Sequence, residues 1–145
     1  DEQFARSLRD KASGIPGNPV SFLGWFPYEK MVEIYAAADI SVLASKEIEG
    51  NSLFLLESMA CSLPVISTRV GGVPEIVENE STGLLVDRKK VTEELEIAMT
   101  RLALDTKLRC QLGSNASSYI KKHHSSEQMA CQLEAFLLQI LHNEK

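Results

Sequence analysis

Short apolar runs alternate with segments of helical periodicity along the first two thirds of the chain. Each run is brief, rich in aliphatic residues and bounded by glycine, proline or polar residues, which is typical of a buried strand. The predicted strands cover residues 20–23, 40–44, 64–68 and 83–86. Because strands that alternate with helices indicate βαβ units, the pattern predicts an α/β fold: a Rossmann-like, doubly wound parallel sheet with helices on both faces.

The segments between and after these runs carry apolar residues at helical spacing. They predict helices at residues 2–13, 27–38, 52–62, 73–77, 91–104, 106–122 and 125–142, the last three forming a helical C-terminal tail. Gly113 is a weak point in the sixth helix, because glycine is a poor helix former. The seventh helix carries a broad apolar stripe that predicts a face packed in the core: Met129, Leu133, Phe136, Leu137 and Ile140.

Composition, net charge and cysteine spacing limit the classes of protein to which the chain can belong. A chain of 145 residues with 44% hydrophobic and 24% charged residues is typical of one globular domain. Its net charge of −5 disfavours a nucleic-acid partner, which would require clustered lysine and arginine. The three cysteines, Cys61, Cys110 and Cys131, lack metal-ligand spacing, so they predict small core residues in a reducing compartment. With no signal peptide or long apolar run, the expected location is cytoplasmic, including the cytoplasmic face of a membrane.

Three loops are candidates for a ligand site, because ligands of parallel sheets bind beyond the carboxyl ends of the strands. They are residues 24–26, 45–52 and 69–74, each of which follows a predicted strand. Each loop also runs into a helix N-terminus, where unpaired N–H groups and the helix dipole favour anions such as phosphate. We expect these loops to lie at one edge of the sheet.

Glu57 stands out within the helix that follows the middle loop. From Leu53 to Cys61 only Glu57 and Ser58 are not apolar, so this helix is expected to be buried nearly all round. A buried carboxylate costs free energy unless it is hydrogen-bonded, and the vicinal hydroxyls of a ribose or hexose would supply such bonds. Alternatively, Glu57 lies at the rim of the helix and is stabilised by the helix dipole alone.

The stretch from Glu49 to Glu75 resembles the nucleotide-sugar site of retaining glycosyltransferases of the GT-B fold, glycosyltransferase family 4. Seven residues separate Glu49 from Glu57, and a small-residue helix, a Pro-Val-Ile strand and a Gly-Gly-Val-Pro-Glu turn follow. Flanking segments at residues 20–24, 35–39 and 83–86 agree with the same family. Five motifs in the family's order make this resemblance specific, and it covers nearly the whole chain.

The resemblance implies a role for each matching residue. Glu57 would hydrogen-bond the ribose of the nucleotide, and Glu49 would act on the transferred sugar as the catalytic acid residue. Donor binding would also involve Phe26, which lines the base, together with the loop and helix start at Gly50, Asn51, Ser52 and Leu53. The sequence departs from the usual pattern at Asn51, Ser52 and Phe54, where the family commonly has an aromatic residue, a second glycine and a proline.

The resemblance also implies what surrounds the chain. Residues 1–145 would form part of a C-terminal donor-binding domain that lacks its first two strands. An N-terminal acceptor-binding domain of the parent chain would complete the enzyme, and the acceptor can be membrane-associated. The chain alone is therefore expected to be inactive.

The expected activity is transfer of a hexose from a nucleoside-diphosphate sugar to an acceptor, with retention of configuration. The donor is a substrate, so no cofactor is expected, and no metal either because no Asp-x-Asp pattern occurs. Two alternatives stay open. One is a non-catalytic nucleotide- or partner-binding module of the same fold, which the departures at Asn51, Ser52 and Phe54 suggest. The other is an unrelated nicotinamide-binding domain, which the absence of Gly-x-Gly-x-x-Gly after any strand disfavours.

Overall fold

A computed structural model describes residues 2–17 and 19–143, which divide into two compact units. The first unit comprises residues 1–31 and the second residues 32–145. In the first unit α1 (Glu2–Ser13) has the predicted bounds, and a 3-10 turn (Tyr28–Lys30) ends just before the boundary. The next helix, α2 (Met31–Ala37), belongs to the second unit from residue 32 onward. The guanidinium of Arg9 lies 5.7 Å from the centre of the Phe22 ring.

The strand predicted at residues 20–23 does not form, and that prediction is wrong. A strand exists only where a neighbour pairs with its backbone N–H and C=O groups, and no strand in the described part of the chain pairs with this segment. The segment is therefore irregular and solvent-exposed despite its apolar side chains.

The second unit is built on a parallel sheet. Its strands are β1 (Ser41–Leu43), β2 (Val65–Thr68) and β3 (Gly83–Val86), in the order β1-β2-β3. Val42 pairs with Ile66, and Ile66 pairs with Leu84. All three lie at or within the ends that the sequence predicts. Their residues are buried or half-buried on both faces, as expected of a parallel sheet covered by helices.

Besides α2, the described part of this unit contains five further helices: α3 (Leu53–Ala60), α4 (Val73–Ile76), α5 (Val91–Leu104), α6 (Thr106–His123) and α7 (Ser126–Asn143). One apolar cluster contains Val65 of β2 together with residues of α3, α4 and α6. The other contains Ile66, the next residue of β2, together with residues of α5 and α6. Since successive side chains of a strand point to opposite faces, helices cover both faces of the sheet, and the predicted α/β class is confirmed.

Gly113 is a contact point and not a helix break. Helix α6 runs through it without interruption, and a Cβ added there would lie 2.1 Å from the carbonyl oxygen of Ser62. Next to this contact, the Ser117 hydroxyl donates to the carbonyl of Ala60 at 3.2 Å. The small residues of α6 therefore let the end of α3 approach its backbone closely.

Two predictions of buried residues are wrong. Cys110 and Cys131 are exposed and Cys61 is half-buried, so the cysteines are not core residues. The apolar stripe of α7 is also exposed, with Met129 at 67% and Phe136 at 59% exposure. Helical periodicity predicts that an apolar face exists, but it does not specify what covers that face. No helix of the described residues is long and apolar enough to cross a membrane.

A surface ion pair fixes the turn between α4 and β3. Arg101 of α5 donates two hydrogen bonds, at 2.6 and 2.7 Å, to the carboxylate of Glu80, whose backbone has a left-handed φ of 63°. The hydrogen bonds from Arg101 lower the pKa of Glu80, and the same bonds raise the pKa of Arg101. This pair therefore joins the turn to α5 wherever the carboxyl group is ionised.

We expect Gly113→Ala to lower the free energy of unfolding by roughly 1–3 kcal/mol, as overpacked sites do. Alanine would gain about 1 kcal/mol in helix propensity, but its Cβ would collide with the Ser62 carbonyl. Urea denaturation followed by circular dichroism measures the difference. Gln111→Ala, at an exposed position of the same helix, serves as the control. A Gly113→Ala variant more stable than the unsubstituted chain would contradict the close approach.

Candidate functional site

Two loops meet at the carboxyl edge of the sheet. Residues 44–52 follow β1, residues 69–72 follow β2, and the two strands are parallel neighbours. The N–H of Gly72 donates to the carbonyl oxygen of Glu49 at 2.8 Å, which joins the loops directly. Two of the three loops predicted at one edge therefore share it, whereas the place of the loop at residues 24–26 stays a prediction.

The carboxylate of Glu49 is held by a short chain of hydrogen bonds that starts in the sheet. Thr68, the last residue of β2, donates its hydroxyl to the carbonyl of Ser45 at 2.6 Å. The hydroxyl of Ser45 then donates to Oε1 of Glu49. Glu49 therefore lies on a loop, but Gly72 of the neighbouring loop fixes its backbone and Ser45 of its own loop fixes its side chain.

The glycine turn behind this loop leaves no space for a side chain. Gly71 has a left-handed φ of 50°, and a Cβ added there would lie 2.0 Å from the carbonyl oxygen of Glu49. At Gly72 an added Cβ would lie 3.2 Å from the carbonyl oxygen of Gly50. Gly50 is different, because a Cβ there would meet no atom within 4 Å. Packing within the described residues thus explains why residue 71 is a glycine, but it does not explain why residue 50 is one.

Helix α3 begins at the same edge. Ser52 is its N-cap, and its side chain makes no capping hydrogen bond. The first N–H groups of a helix have no partner within the helix, so the start of α3 presents donors to a ligand. Asn51 and Leu53 are exposed and Ser52 is half-buried. The expectation that α3 is buried nearly all round is wrong, because Leu53 and Ala60 are exposed at its two ends. Its buried residues are Leu55, Ser58 and Met59.

Glu57 lies one turn into α3, is half-buried and has a protein partner. The hydroxyl of Tyr35 on α2 donates to its Oε2 at 2.9 Å. The sequence had suggested a sugar hydroxyl or the helix dipole as the source of stabilisation, and a phenol from another helix supplies part of it. The available signal was Tyr35 itself, since a tyrosine on the apolar face of a helix generally finds a partner for its hydroxyl.

Two further candidates are Phe26 and Glu75. Phe26 is half-buried in the first unit, and its role at the nucleotide base stays a prediction. The side chain of Glu75 is exposed, and its backbone carbonyl accepts a hydrogen bond from the Tyr119 hydroxyl at 3.2 Å. Among the residues that the structure describes, no cluster of three or more His, Cys, Asp or Glu side chains could hold a metal ion.

An apolar cleft of about 540 Å³ lies between the end of β1 and α5. It is lined by Ala44, Lys46, Val91, Thr92, Leu95, Glu96, Met99 and Thr100. Neither Glu49 nor Glu57 is among these residues. The cleft therefore adjoins the start of the loop after β1, but neither acidic residue lines it.

Comparison with known proteins agrees with this arrangement. The family described as "Glycosyl transferases group 1" matches residues 1–105. The chain belongs to this family. The resemblance found in the sequence is therefore confirmed, and the α/β sheet is that of a GT-B C-terminal domain. The described residues contain three of its strands.

Two curated relatives of this group 1 chain are enzymes with different acceptors. The N-acetyl-alpha-D-glucosaminyl L-malate synthase of Bacillus anthracis is 33% identical over 126 residues, covering 87% of this chain and 32% of that protein. The GDP-mannose-dependent monoacylated alpha-(1-6)-phosphatidylinositol monomannoside mannosyltransferase of Corynebacterium glutamicum is 31% identical over 141 residues, covering 93% of this chain and 36% of that protein. The chain thus spans about a third of the length of these relatives.

A solved structure gives the same result for the fold. HepE of Anabaena, in complex with UDP, matches with a TM-score of 0.80 and 25% identity. The match covers 95% of this group 1 chain and 37% of the HepE chain. The described chain thus has the fold of one part of a nucleotide-bound relative.

We expect Gly71→Ala to destabilise the loop clamp, by which we mean the contact of the turn at Gly71 and Gly72 with the backbone of Glu49. A left-handed φ costs an alanine roughly 1–2 kcal/mol, and the collision with the Glu49 carbonyl adds to this cost. Gly17→Ala is a matched control, because Gly17 also has a left-handed φ of 82° but nothing lies within 4 Å of its added Cβ. Chemical denaturation should show a clearly larger loss for Gly71→Ala. Equal losses in the two variants would contradict the clamp.

Proposed function

We propose that the chain binds the nucleotide-sugar donor of a retaining glycosyltransferase, which moves a hexose from a nucleoside diphosphate to an acceptor. The observation that carries this proposal is the pair of acids at one sheet edge, each held by a hydroxyl from a different segment. Ser45 holds Glu49 and Tyr35 holds Glu57. A membership in the group 1 family and a relative in complex with UDP support the same donor class.

Glu57 is proposed to bind the ribose. Its carboxylate has about four acceptor positions, and the Tyr35 hydroxyl uses one of them. The vicinal ribose hydroxyls need two acceptors, so the remaining capacity is sufficient. Because Glu57 is half-buried on a helix, it offers a fixed anchor for a nucleotide that lies across the sheet edge.

The start of α3 is proposed to face the diphosphate and the sugar. Backbone N–H groups of Asn51, Ser52 and Leu53 would donate to phosphate oxygens, which the positive end of the helix dipole also attracts. The open space beside Gly50 supports close approach of a ligand to the backbone at that point. Phe26 would line the base.

Glu49 is proposed to act on the transferred sugar. Its carboxylate is oriented by Ser45, and it lies on the loop ahead of α3, whereas Glu57 lies within the helix. A carboxylate in this position can accept hydrogen bonds from sugar hydroxyls and stabilise positive charge that develops at the anomeric carbon as the nucleoside diphosphate leaves. It would therefore contribute more to the transition state than to binding of the nucleotide.

The rest of the reaction is proposed to depend on residues outside this chain. The curated relatives are about three times as long as the segment matched here. An N-terminal domain of the parent protein would bind the acceptor, which can be a membrane-associated molecule. In this proposal the nucleotide sugar is the substrate, and neither a cofactor nor a metal ion is required.

We expect Glu57→Ala to weaken binding of the nucleoside diphosphate by about 1.5–3 kcal/mol, the value of hydrogen bonds to a charged group. Isothermal titration calorimetry with UDP and with GDP measures the change, since the relatives use both nucleotides. Glu93→Ala, which removes an exposed acid from the first turn of α5, is the matched control. Unchanged affinity in a folded Glu57→Ala protein would refute the ribose-binding role.

In the full-length parent protein, Glu49→Gln should lower turnover while leaving nucleoside-diphosphate affinity within about threefold, because the lost charge acts on the sugar in the transition state. Release of nucleoside diphosphate from the sugar donor, with lipid and sugar acceptors present, follows turnover. A collapse of nucleotide affinity would show that the two acids are assigned to the wrong parts of the donor. Binding without turnover in the unsubstituted full-length protein would instead favour the non-catalytic module.

A further inference from the structure

Tyr35 is fixed at two points against α3. Tyr35 is only 4% exposed, and the centre of its ring lies 6.1 Å from the centre of the Phe54 ring at an interplanar angle of 56°. Its hydroxyl donates to Oε2 of Glu57 at 2.9 Å. Phe54 and Glu57 are three residues apart, so they share one face of the helix. Tyr35 therefore contacts two neighbouring positions of that face.

This arrangement restricts Glu57 before any ligand arrives. A glutamate side chain has several rotatable bonds, and ordering them upon binding costs free energy. A hydrogen bond from a buried phenol selects the rotamers that keep Oε2 near Tyr35. The ordering cost is then part of folding, and a ligand that uses the same carboxylate does not bear it again.

We infer that Tyr35 is a positioning residue for nucleotide recognition, which orients the carboxylate of Glu57 toward the ribose hydroxyls of a nucleoside diphosphate. The inference rests on the proposed function, because it takes the ribose as the group that Glu57 binds. Tyr35 itself would not contact the nucleotide. Its effect on affinity should therefore depend on whether the nucleotide carries ribose hydroxyls.

The test compares UDP with 2′,3′-dideoxy-UDP, or the corresponding GDP pair, by calorimetry on the protein. Tyr35→Phe keeps the ring against Phe54 and removes the hydroxyl. We expect it to weaken UDP binding about three- to tenfold and to change binding of the dideoxy nucleotide less than twofold. Tyr119→Phe is the matched control, since the Tyr119 hydroxyl also donates to an acceptor, the Glu75 carbonyl, but not to Glu57. It should leave both affinities unchanged.

A merely structural role for Tyr35 predicts a different pattern. The inference would be overturned if Tyr35→Phe lost affinity equally for both nucleotides. It would also be overturned if Tyr35→Phe lost no affinity for UDP while the unsubstituted protein still preferred UDP over the dideoxy form. The proposed function fails with another signature: the unsubstituted protein would not distinguish the two nucleotides, and Glu57→Ala would bind both normally. These outcomes are separable within one set of titrations.

A double-mutant cycle adds an independent measurement. In a Glu57→Ala background, Tyr35→Phe should have no further effect on UDP affinity, because there is no carboxylate to orient. Additive losses would overturn the positioning role. Ring resonances of Tyr35 in the unsubstituted protein should also shift on saturation with UDP and not with the dideoxy nucleotide. This readout does not depend on whether a variant folds, and unmoved resonances would count against the inference.

Discussion

Parallel pairing of β1 with β2 is the constraint on which the candidate site depends. It places the ends of two strands that are distant in sequence side by side, so the loops that follow them must share one edge. The hydrogen bond from Gly72 to Glu49 then fixes their spacing. A shift in register between the strands would separate these backbone groups and would remove Thr68 from Ser45 as well. The acidic residues are therefore positioned by the sheet, although neither lies on a strand.

Glu49 and Glu57 show how a fold can hold carboxylates at a site and leave them able to bind. A carboxylate away from water needs hydrogen-bond donors, and an arginine or lysine partner would supply them at the cost of neutralising the charge. Here the donors are the hydroxyls of Ser45 and Tyr35, which carry no charge. Contrast Glu80, whose partner Arg101 takes both carboxylate oxygens and lowers the pKa of the acid. Uncharged hydroxyl donors leave a carboxylate suited to ligand recognition, whereas an arginine partner makes it suited to structural anchoring.

The sequence predicted the elements of the second unit well, because their signals are local. Residues 64–68 could only be a short strand and residues 83–86 were a strand candidate, and the glycine turn after β2 could be assigned to the same edge as Glu49. What the sequence did not predict depends on partners distant in the chain. Residues 20–23 have strand character but no strand beside them. Gly113 looked like a weak point of its helix because the Ser62 carbonyl that requires a glycine there lies outside that helix. Tyr35 had a clear motif position, but its bond to Glu57 crosses between helices.

The two acids also differ in how easily their surroundings can change. Glu57 belongs to a helix whose inner face packs against the sheet and α6, so its position is coupled to the core. Glu49 belongs to a loop held by Ser45 and by the turn at Gly71 and Gly72, and the neighbouring Gly50 faces open space. Substitutions around Glu49 can therefore reshape the loop without disturbing the core, whereas substitutions around Glu57 cannot. Under the proposed function, this separation allows the transferred sugar to vary between related proteins while the mode of ribose recognition is kept.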